Sequence, residues 1–481
     1  MPLKNTKEFI KKLESEGELK RIFTEVDPIL EVTEIADRIS KTHGPALLFE
    51  NVKGSVFPLM INAFGSFRRM EMALGCDSFD DIGRRIESLI KMKPPGSFTQ
   101  KIKMLLDLKA LSGVTPKKVK RAPCQQQVYD RKGPLLDMLP ILTCWPKDGG
   151  PFITLPIVIT KDPDTGIQNI GMYRMHKYDH ATTGMHWQYN KDGNRHFDKY
   201  KSRGKRMEVA VALGGSPLVT YAATAPLPPD IDELLLAGFI GSKPIEITRG
   251  KTIDLFVPAE SDFVIEGYVD PNEDRIEGPF GDHTGFYSPA DRYPVFHATC
   301  ITCRNDAVYP ATIVGKPPME DCYMAKATER IFLPAIKMII PEIVDMELPM
   351  EGVFHNCALI AIDKKFPGQA KKVISALWGL GQMASTKYIA VFDKDIDLRD
   401  SRTVVWKLLN NVDPKRDLML SEGPLDALDH SAPYPNFGGK MGIDATRKTR
   451  EEGMGREWPD EIKMSEEIIE QVNSRWKEYG F

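Results

Sequence analysis

The sequence predicts a multidomain α+β protein with a barrel of strands at its centre. A length of 481 residues is more than one ordinary domain needs. Helix and strand patterns alternate in the first and last parts of the chain, whereas the middle part is dense in strands and turns. We therefore expect an N-terminal α/β domain at residues 1–120, a β-barrel domain at 121–315 and a C-terminal α/β domain at 316–481.

The N-terminal part shows helices bounded by residue types that begin and end helices. Thr6 is predicted to cap a first helix, which Gly17 ends, and Ser66 is predicted to cap a second, which Gly75 ends. The remaining elements are a buried strand at 46–49 and an amphipathic helix at 82–90, which Pro94 and Pro95 close. Such alternation is typical of a small α/β unit.

The middle part contains apolar or alternating runs, which predict strands at 152–159, 167–176, 209–213, 263–269 and 295–303. This density of strands predicts a closed or split barrel. One helix interrupts it, since Asp230 is predicted to cap a helix over 231–239.

The C-terminal part returns to alternation. Strands at 358–362 and 388–392 flank a helix at 369–378, and Ser401 and Ser465 are predicted to cap two later helices. This part is therefore expected to form a second α/β layer domain.

Composition gives little reason to expect nucleic acid or a membrane as a partner. A formal net charge of −3 gives no electrostatic reason to bind nucleic acid or an anionic membrane. No apolar run reaches the length of a membrane-spanning helix, and the N-terminus lacks the apolar core of a signal peptide. Seven scattered cysteines favour reduced thiols, and we expect a cytoplasmic protein.

A bend at residues 275–287 carries two acids. Gly278, Pro279 and Gly281 exclude regular helix there, and Glu277 and Asp282 lie on either side of them. One interpretation is that both carboxylates are solvated caps of the turn. The other is that the turn directs them into one pocket, where their pKa values are pushed apart.

Arg174, in a predicted strand, also has two interpretations. It is either a residue at the barrel rim or the partner of Glu277, in which case it keeps that carboxylate ionised and leaves Asp282 to hold a proton. Glu233 either completes a capping box begun by Asp230 or serves as a hard-metal ligand at the start of a helix. His176, His180 and His186 do not have the helical context that a zinc site needs.

Longer motifs give the chain a resemblance over its whole length to the UbiD family of carboxy-lyases. These motifs are Asn-x-Gly-x-Tyr-Arg at 169–174, Glu-Gly-Pro-Phe-Gly-Asp-His-Thr-Gly at 277–285 and Gly-Gly-Lys-Met-Gly-Ile-Asp-Ala-Thr at 438–446. Within the family the chain looks most like the decarboxylases of the futalosine route to menaquinone, which act on 6-carboxylated dihydroxynaphthalenes. The segments behind this finer resemblance are 184–188, 354–358, 423–430 and 443–448.

The resemblance implies a fold and its ligands. The central domain would be a split β-barrel of the flavin-reductase type that binds prenylated FMN, supplied by a flavin prenyltransferase of the UbiX type. Mn²⁺, or another divalent ion such as Mg²⁺, and K⁺ would bind at the phosphate of that cofactor. The C-terminal domain would dimerise, giving a homodimer or a dimer-based higher oligomer. A prenylated substrate would make the enzyme peripheral to the membrane.

The resemblance also implies roles for particular residues. Arg174, Glu277 and Asp282 match the catalytic trio, and the aspartate is the form seen in hydroxyaryl decarboxylases. Asn169 and Glu233 match metal ligands, with His186 at a third position that varies among relatives. The segments that match cofactor contacts contain Thr154, Met172, Tyr173, Arg174, His186, Trp187 and Gln188, and the carbonyls of Ala223, Thr224 and Ala225 match the potassium position.

The chemistry agrees with this resemblance. Loss of CO₂ from an aromatic ring leaves an electron pair that no amino-acid side chain accepts, so a cofactor must serve as the electron sink. Asp282 would supply the proton if burial raised its pKa. Strict alternation would place Asn169 and Arg174 on opposite faces of a strand, so we predict a bulge or kink near Gly171.

Three functions follow for comparison. The first is a prenylated-FMN-dependent decarboxylase of a 1,4-dihydroxy-6-naphthoate type of acid in menaquinone synthesis. The second is a decarboxylase or carboxylase of another hydroxyarene acid, such as a polyprenyl 4-hydroxybenzoate in ubiquinone synthesis. The third is a flavin oxidoreductase on a split barrel, which would work with unmodified FMN and a reductant.

Overall fold

The computed structural model describes residues 2–91, 113–133, 135–188, 191–228 and 231–481. The predicted helix stop at Pro94–Pro95 and the predicted cap Asp230 lie outside these residues.

Within the described residues, a four-stranded sheet and four helices form the N-terminal part. The helices are α1 (Thr6–Ser15), α2 (Glu31–Lys41), α3 (Phe67–Leu74) and α4 (Phe79–Ile90). The strands are β1 (Leu19–Ile22), β2 (Ala46–Phe49) and β3 (Leu59–Ile61). The sheet order is β1-β2-β3-β18, where β18 (Tyr309–Pro310) comes from much later in the chain.

The first helix begins one residue earlier than predicted. Asn5 is its N-cap and accepts a hydrogen bond from the Glu8 amide at 3.0 Å. The predicted cap Thr6 is wrong because its buried hydroxyl is engaged elsewhere, with the Asp262 carboxylate and the Gly215 amide. The second prediction is confirmed, since Ser66 caps α3 and Gly75 ends it in the left-handed region.

An antiparallel sheet dominates the central part. Its strands are β5 (Gln127–Asp130), β7 (Ile157–Lys161), β8 (Gln168–Met172), β10 (Thr182–Gly184), β11 (Met207–Leu213), β14 (Phe263–Glu277) and β17 (Asp291–Cys303). The sheet order is β10-β17-β14-β11-β7-β8, with β5 also pairing with β17. Because β10 and β8 end this path, no closed barrel is found within the described residues, and the closed form of the prediction is wrong.

The other central elements are short. The strands are β4 (Lys117–Lys118), β6 (Phe152–Ile153), β9 (Met175–His176), β12 (Glu246–Arg249), β13 (Phe256–Pro258), β15 (Phe280–Gly281) and β16 (Tyr287–Ser288). The helices are α5 (Asp192–Ser202), α6 (Pro217–Ala222) and α7 (Glu233–Gly241).

The central sheet is buried on both faces, which explains its continuous apolar strands. In β11, Ala210 and Ala212 pack in one core with the helices of the N-terminal part. Val209 and Val211, on the opposite face, pack in a second core. The pairing of β14 with β17 extends from Phe263 to Glu277, so the bend that follows Glu277 stands at the end of the longest hairpin.

A mixed five-stranded sheet forms the C-terminal part, in the order β19-β20-β21-β23-β22. The strands are β19 (Ile343–Glu347), β20 (Cys357–Ile362), β21 (Tyr388–Asp393), β22 (Leu418–Pro424) and β23 (Phe437–Asp444). The helices are α8 (Glu320–Ile339), α9 (Gln369–Trp378), α10 (Ser401–Asn411) and α11 (Glu466–Ser474).

Two details of the C-terminal part bear on the predictions. The cap of α10 is Asp400, which accepts from the amides of Arg402 and Thr403, so the predicted cap Ser401 is one residue late. Ser465 does stand at the N-cap of α11, without a side-chain hydrogen bond to it. Among the described residues, no helix is both long and apolar enough to cross a membrane.

Candidate active site

The bend between β14 and β17 is fixed by contacts with a distant part of the chain. The Gly281 amide donates to Asp148 Oδ1 at 2.7 Å, and the Gly149 amide donates to the Pro279 carbonyl at 2.8 Å. The Gly278 amide points to His176 Nδ1 at 3.3 Å, and Gly278 has a φ of +89°, which favours glycine. Backbone contacts on both sides therefore set the direction of the side chains that follow.

Arg174 joins both acids of the bend. Its Nε donates to Glu277 Oε1 at 2.8 Å and its Nη2 to Glu277 Oε2 at 3.2 Å, which is a bidentate pair. Its Nη1 donates to Asp282 Oδ2, and its guanidinium lies 4.6 Å from the centre of the Phe280 ring. Glu277 is 0% exposed and Asp282 is 5% exposed, so the interpretation as solvated caps is wrong.

This shared arginine overturns the predicted division of protons. Burial by itself raises the pKa of Glu277, but hydrogen bonds from His186 and Arg174 outweigh burial and hold it at about 2. Burial likewise opposes ionisation of Asp282, yet the hydrogen bond from His283 and the charge of Arg174 hold its pKa well below the usual range. The sequence led us to expect that burial leaves Asp282 protonated. Instead both acids are ionised, because each is bound by a histidine (His186 or His283) and by the shared guanidinium of Arg174.

The predicted kink is real but stands later than Gly171. Pairing of β7 with β8 is regular through Met172, and β9 then pairs with β6 in a separate ladder. The interruption falls at Tyr173 and Arg174, which directs Arg174 away from the sheet. Gly171 is needed for a different reason: a Cβ there would lie 2.4 Å from the Tyr173 hydroxyl oxygen, because that ring folds back over it.

Glu233 is not part of a capping box. Asp232 is the N-cap of α7 and accepts from the Leu234 amide at 2.8 Å, so Glu233 is the first helical residue. Its Oε2 accepts from the Ile170 amide at 2.9 Å, on the strand that carries Asn169. Burial raises the pKa of Glu233 to about 8, and no cation among the described residues compensates this carboxylate.

The Asn169 amide meets Glu233, and the two fit a hard cation. With its nitrogen turned towards Glu233, Asn169 donates to Oε1 at 3.2 Å; with its oxygen turned that way, two oxygen ligands converge. An uncompensated buried carboxylate beside an amide oxygen is a donor set that Mn²⁺ or Mg²⁺ accepts. His186 lies elsewhere: its Nδ1 is 3.2 Å from Glu277 Oε2, and among the described residues it shares no hydrogen bond with Asn169 or Glu233.

The segments matched to cofactor contacts are brought together by the two ladders. Thr154 follows β6 and accepts from the Thr312 amide at 3.1 Å, and Met172 ends β8, where its amide donates to the Ala223 carbonyl at 3.1 Å. Trp187 is 3% exposed, and its buried Nε1 has no hydrogen-bond acceptor within the part of the chain that the structure describes. Because Tyr173 lies against the same Gly193, a phosphate or flavin oxygen at this point would satisfy that donor. The residues present therefore fit a flavin nucleotide.

Some of the matched residues make no contact that defines a role. Gln188 is partly buried beside Trp187, and Thr224 donates through its hydroxyl to the Tyr221 carbonyl at 2.7 Å. The Ala223 carbonyl accepts a hydrogen bond from the Met172 amide, and the Ala225 amide donates to the Ala222 carbonyl. Sequence reasoning missed Ser288, whose hydroxyl lies 3.1 Å from Arg174 Nη2.

Sequence reasoning also missed a group of residues around His283. His283 Nδ1 is 2.9 Å from Asp282 Oδ1, and its Nε2 is 3.0 Å from His355 Nε2. Asp426 Oδ2 lies 3.6 Å from His355 Nε2. All three belong to motifs that were noted in the sequence, but nothing in those motifs indicates that they meet.

Comparisons with known proteins agree on one family. Three family sequence models match: the N-terminal domain (10–86), the Rift-related domain (117–317) and the C-terminal domain (322–445) of 3-octaprenyl-4-hydroxybenzoate carboxy-lyase, UbiD. An uncharacterized protein of Archaeoglobus fulgidus is 51% identical over 480 residues, which is 99% of each chain.

Solved structures of similar shape include two enzymes. The closed form of vanillic acid decarboxylase from Sedimentibacter hydroxybenzoicus has a TM-score of 0.85 and 28% identity, over 99% of this chain and 100% of that chain. Its open form scores 0.81 over the same shares. An evolved dimeric form of the UbiD-class enzyme HmfF from Pelotomaculum thermopropionicum, in complex with prFMN, has a TM-score of 0.80 and 27% identity, over 96% of this chain and 97% of that chain.

Proposed function

The chain belongs to the UbiD family of carboxy-lyases, and from this premise we propose that it is a prenylated-FMN-dependent decarboxylase of an aromatic hydroxy acid. The observation that supports the proposal most is the buried trio in which Arg174 binds Glu277 and Asp282 together. A buried trio of this kind, beside segments that fit a flavin, is suited to stabilising charge that develops during a reaction.

Each residue of the trio has a task that its contacts support. Prenylated FMN, when bound, supplies the electron sink for the pair released from the carbon–carboxylate bond. Arg174 carries the positive charge that keeps two carboxylates ionised in a buried site and orients them through the bidentate pair. Glu277 fixes Arg174 and His186, and Asp282 passes a proton to the vacated ring carbon.

The metal and the cofactor have proposed positions on this chain. Asn169 and Glu233 would hold the divalent ion, and His186 would join them only after leaving Glu277. Thr154, Met172, Tyr173, Trp187 and Gln188 would contact the flavin nucleotide. The carbonyls at 223–225 would face K⁺.

The predictions about architecture, cofactor supply and assembly are also proposals. The central part would be a split barrel, the domains would meet near residues 120 and 315, and a flavin prenyltransferase would supply the cofactor. The enzyme would be a cytoplasmic homodimer or a larger assembly of dimers.

The finer proposal is a substrate of the 1,4-dihydroxy-6-naphthoate type, in menaquinone synthesis. Two of the segments behind this resemblance, 354–358 and 423–430, meet beside Asp282 through His355 and Asp426. Polar groups at this position suit a hydroxylated ring. A polyprenyl 4-hydroxybenzoate is the second candidate, because its phenolic hydroxyl would meet the same groups.

The test is CO₂ release by protein co-expressed with a flavin prenyltransferase. The flavin mass is measured first, and 1,4-dihydroxy-6-naphthoate is compared with 4-hydroxybenzoate. We expect turnover of the naphthoate by the loaded protein and none by protein containing unmodified FMN. Conversion of hydroxybenzoates alone would overturn the naphthoate proposal, and reductant-dependent activity with unmodified FMN would favour an oxidoreductase.

A further inference from the structure

Non-oxidative decarboxylation of a carboxylate consumes one proton per turnover. Neither carboxylate of the trio carries a proton that it could donate. Arg174 keeps Glu277 and Asp282 ionised, as their bidentate and shared contacts show. Asp282 must therefore receive a proton from a neighbour before it can protonate a ring carbon. Asp282 Oδ2 is bound by Arg174, and Asp282 Oδ1 contacts His283.

His283 is held in a donor position. Asp282 Oδ1 accepts from both the His283 amide at 2.8 Å and the imidazole Nδ1 at 2.9 Å. An ionised carboxylate only accepts hydrogen bonds, so Nδ1 carries a proton. The ring also stacks on Phe354, with centroids 5.1 Å apart and planes 19° apart.

The other side of His283 faces a second imidazole. Its Nε2 is 3.0 Å from His355 Nε2, and two ring nitrogens at that distance need one proton between them. His355 Nδ1 is buried and finds no hydrogen-bond partner among the residues that the structure describes. The residues before His355 have left-handed backbones, with φ of +45° at Val353 and +54° at Phe354, which a non-glycine chain adopts only when its surroundings require it.

Negative charge surrounds the two rings. Six charged or titratable groups lie around His283, each from a different segment of the chain: Asp282 with Arg174 behind it, Asp321, His355, and Asp426 with Lys191 behind it. Burial alone lowers the pKa of His283, but the hydrogen bond and the charge of Asp282 raise it above its ordinary value. The pair therefore favours an additional proton.

We propose that His283 and His355 form an imidazole pair that stores the proton consumed in each turnover and passes it to Asp282. This inference rests on the proposed decarboxylase function. The His283 Nδ1–H bond breaks, its electron pair stays on nitrogen, and the proton bonds to Asp282 Oδ1. That O–H bond then breaks, and the proton joins the electron pair on the ring carbon that lost CO₂. Solvent returns one proton to the pair.

His283 and His355 act through Asp282, so they are positioning residues rather than catalytic ones. Stored charge on His283 is stabilised by His355 and Asp426, and removing either should lower the pKa of the pair. Because the store must be protonated, kcat should fall as pH rises through this pKa. A change in packing alone would lower kcat equally at every pH.

The experiment compares pH profiles of the cofactor-loaded wild type with His283→Asn, His355→Asn and Asp426→Asn. We expect the descending limb of kcat to move to lower pH by about one unit in His355→Asn and Asp426→Asn. At pH 8 their kcat should fall about 10-fold, and that of His283→Asn about 100-fold, with KM within about twofold. His297→Asn is the matched control, because His297 bonds Glu273 and stacks on Tyr268 away from the trio.

A second measurement uses cofactor-free full-length protein labelled with ¹⁵N-histidine. Imidazole shifts should show that His283 titrates above about 6.5 and that Asp426→Asn lowers its pKa. If the wild type decarboxylates nothing, the proposed function fails, while this titration still tests the pair. Three results would each overturn the proton store. The first is a descending limb of kcat that stays unchanged in all three variants, and the second is a His283 imidazole that stays neutral over the whole pH range. The third is a stoichiometric zinc ion that is bound by the wild type and lost in His355→Asn.

Discussion

Replacing Arg174 with methionine should destabilise the central part of the chain by about 3 kcal/mol at pH 8. The side chain of Arg174 is 10% exposed and that of its partner Glu277 is 0% exposed, so the substitution leaves a buried carboxylate without its guanidinium. The pKa of Glu277 is held at about 2 rather than 4.5, and at about 1.4 kcal/mol per pKa unit this corresponds to about 3.5 kcal/mol for its contacts with His186 and Arg174 together. Because Arg174 also pairs with Asp282, we expect its loss to cost about 3 kcal/mol. Loss of one partner of a buried ion pair typically costs about 3–5 kcal/mol, which agrees.

The difference in stability between the wild type and Arg174→Met should depend on pH. In the wild type the folded pKa of Glu277 lies below the unfolded value, so its stabilisation is complete above about pH 5 and is lost as pH falls towards 2. In Arg174→Met burial should raise the pKa of Glu277 above the unfolded value, so that variant should lose stability as pH rises. The difference between the two proteins should therefore grow from pH 5 to pH 8.

Thermal unfolding of cofactor-free protein measures this. For an unfolding unit of roughly 200 residues, about 3 kcal/mol corresponds to a Tm lower by roughly 6–12 °C at pH 8. Arg292→Met is the control, because its side chain is 62% exposed and its pair with Asp274 should contribute less than about 1 kcal/mol. A Tm difference that is the same at pH 5 and pH 8 would refute the electrostatic account of the trio.

Three other substitutions test the remaining assignments. Asp282→Asn should lower kcat by about 10²–10⁴-fold in cofactor-loaded protein without loss of flavin absorbance; full turnover would remove Asp282 from proton transfer. Mn²⁺ at about 100 times its Kd should stabilise the cofactor-free wild type by about 2.7 kcal/mol but not Glu233→Gln, and equal stabilisation of both would exclude Glu233 as a ligand. Gly171→Ala should displace the Tyr173 ring and lower the free energy of unfolding by about 1–3 kcal/mol. In the control Gly439→Ala nothing lies within 4 Å of the added Cβ, so the cost should be less than about 1 kcal/mol. Equal costs in thermal unfolding would contradict the packing argument.

Sequence patterns predicted most of the secondary structure because they depend on local chemistry. The strands at 209–213 and 295–303 and the cap at Ser66 follow from apolar runs and from capping residues that need no distant partner. Thr6 failed as a cap for the opposite reason, since its hydroxyl is taken by Asp262 from the central sheet. Where a polar side chain has a long-range partner, local preference did not decide its role.

In the candidate site too, the sequence predicted the local features but not the contacts that depend on the tertiary fold. The bend at 277–285 was evident from its glycines and proline, and the pairing of Arg174 with Glu277 was one of two interpretations. That Arg174 also reaches Asp282 depends on how Asp148 and Gly149 hold the bend, which no spacing along the chain indicates. His355 lies 72 residues beyond its partner His283, so only the tertiary fold brings them together.

In the proposed mechanism, the position of the C-terminal part is therefore linked to proton supply but not to the integrity of the trio. Arg174, Glu277 and Asp282 all belong to the central part and are fixed there by residues 148–149 and by Ser288. His355 and Asp426 instead belong to the C-terminal part, and the described arrangement is more similar to the closed than to the open form of the vanillic acid decarboxylase. Movement of the C-terminal part away from the bend would separate His283 from its partner ring while leaving the trio intact. If the C-terminal part moved in this way, the proposed proton store would be complete only in the closed arrangement, so protonation of the ring would follow closure.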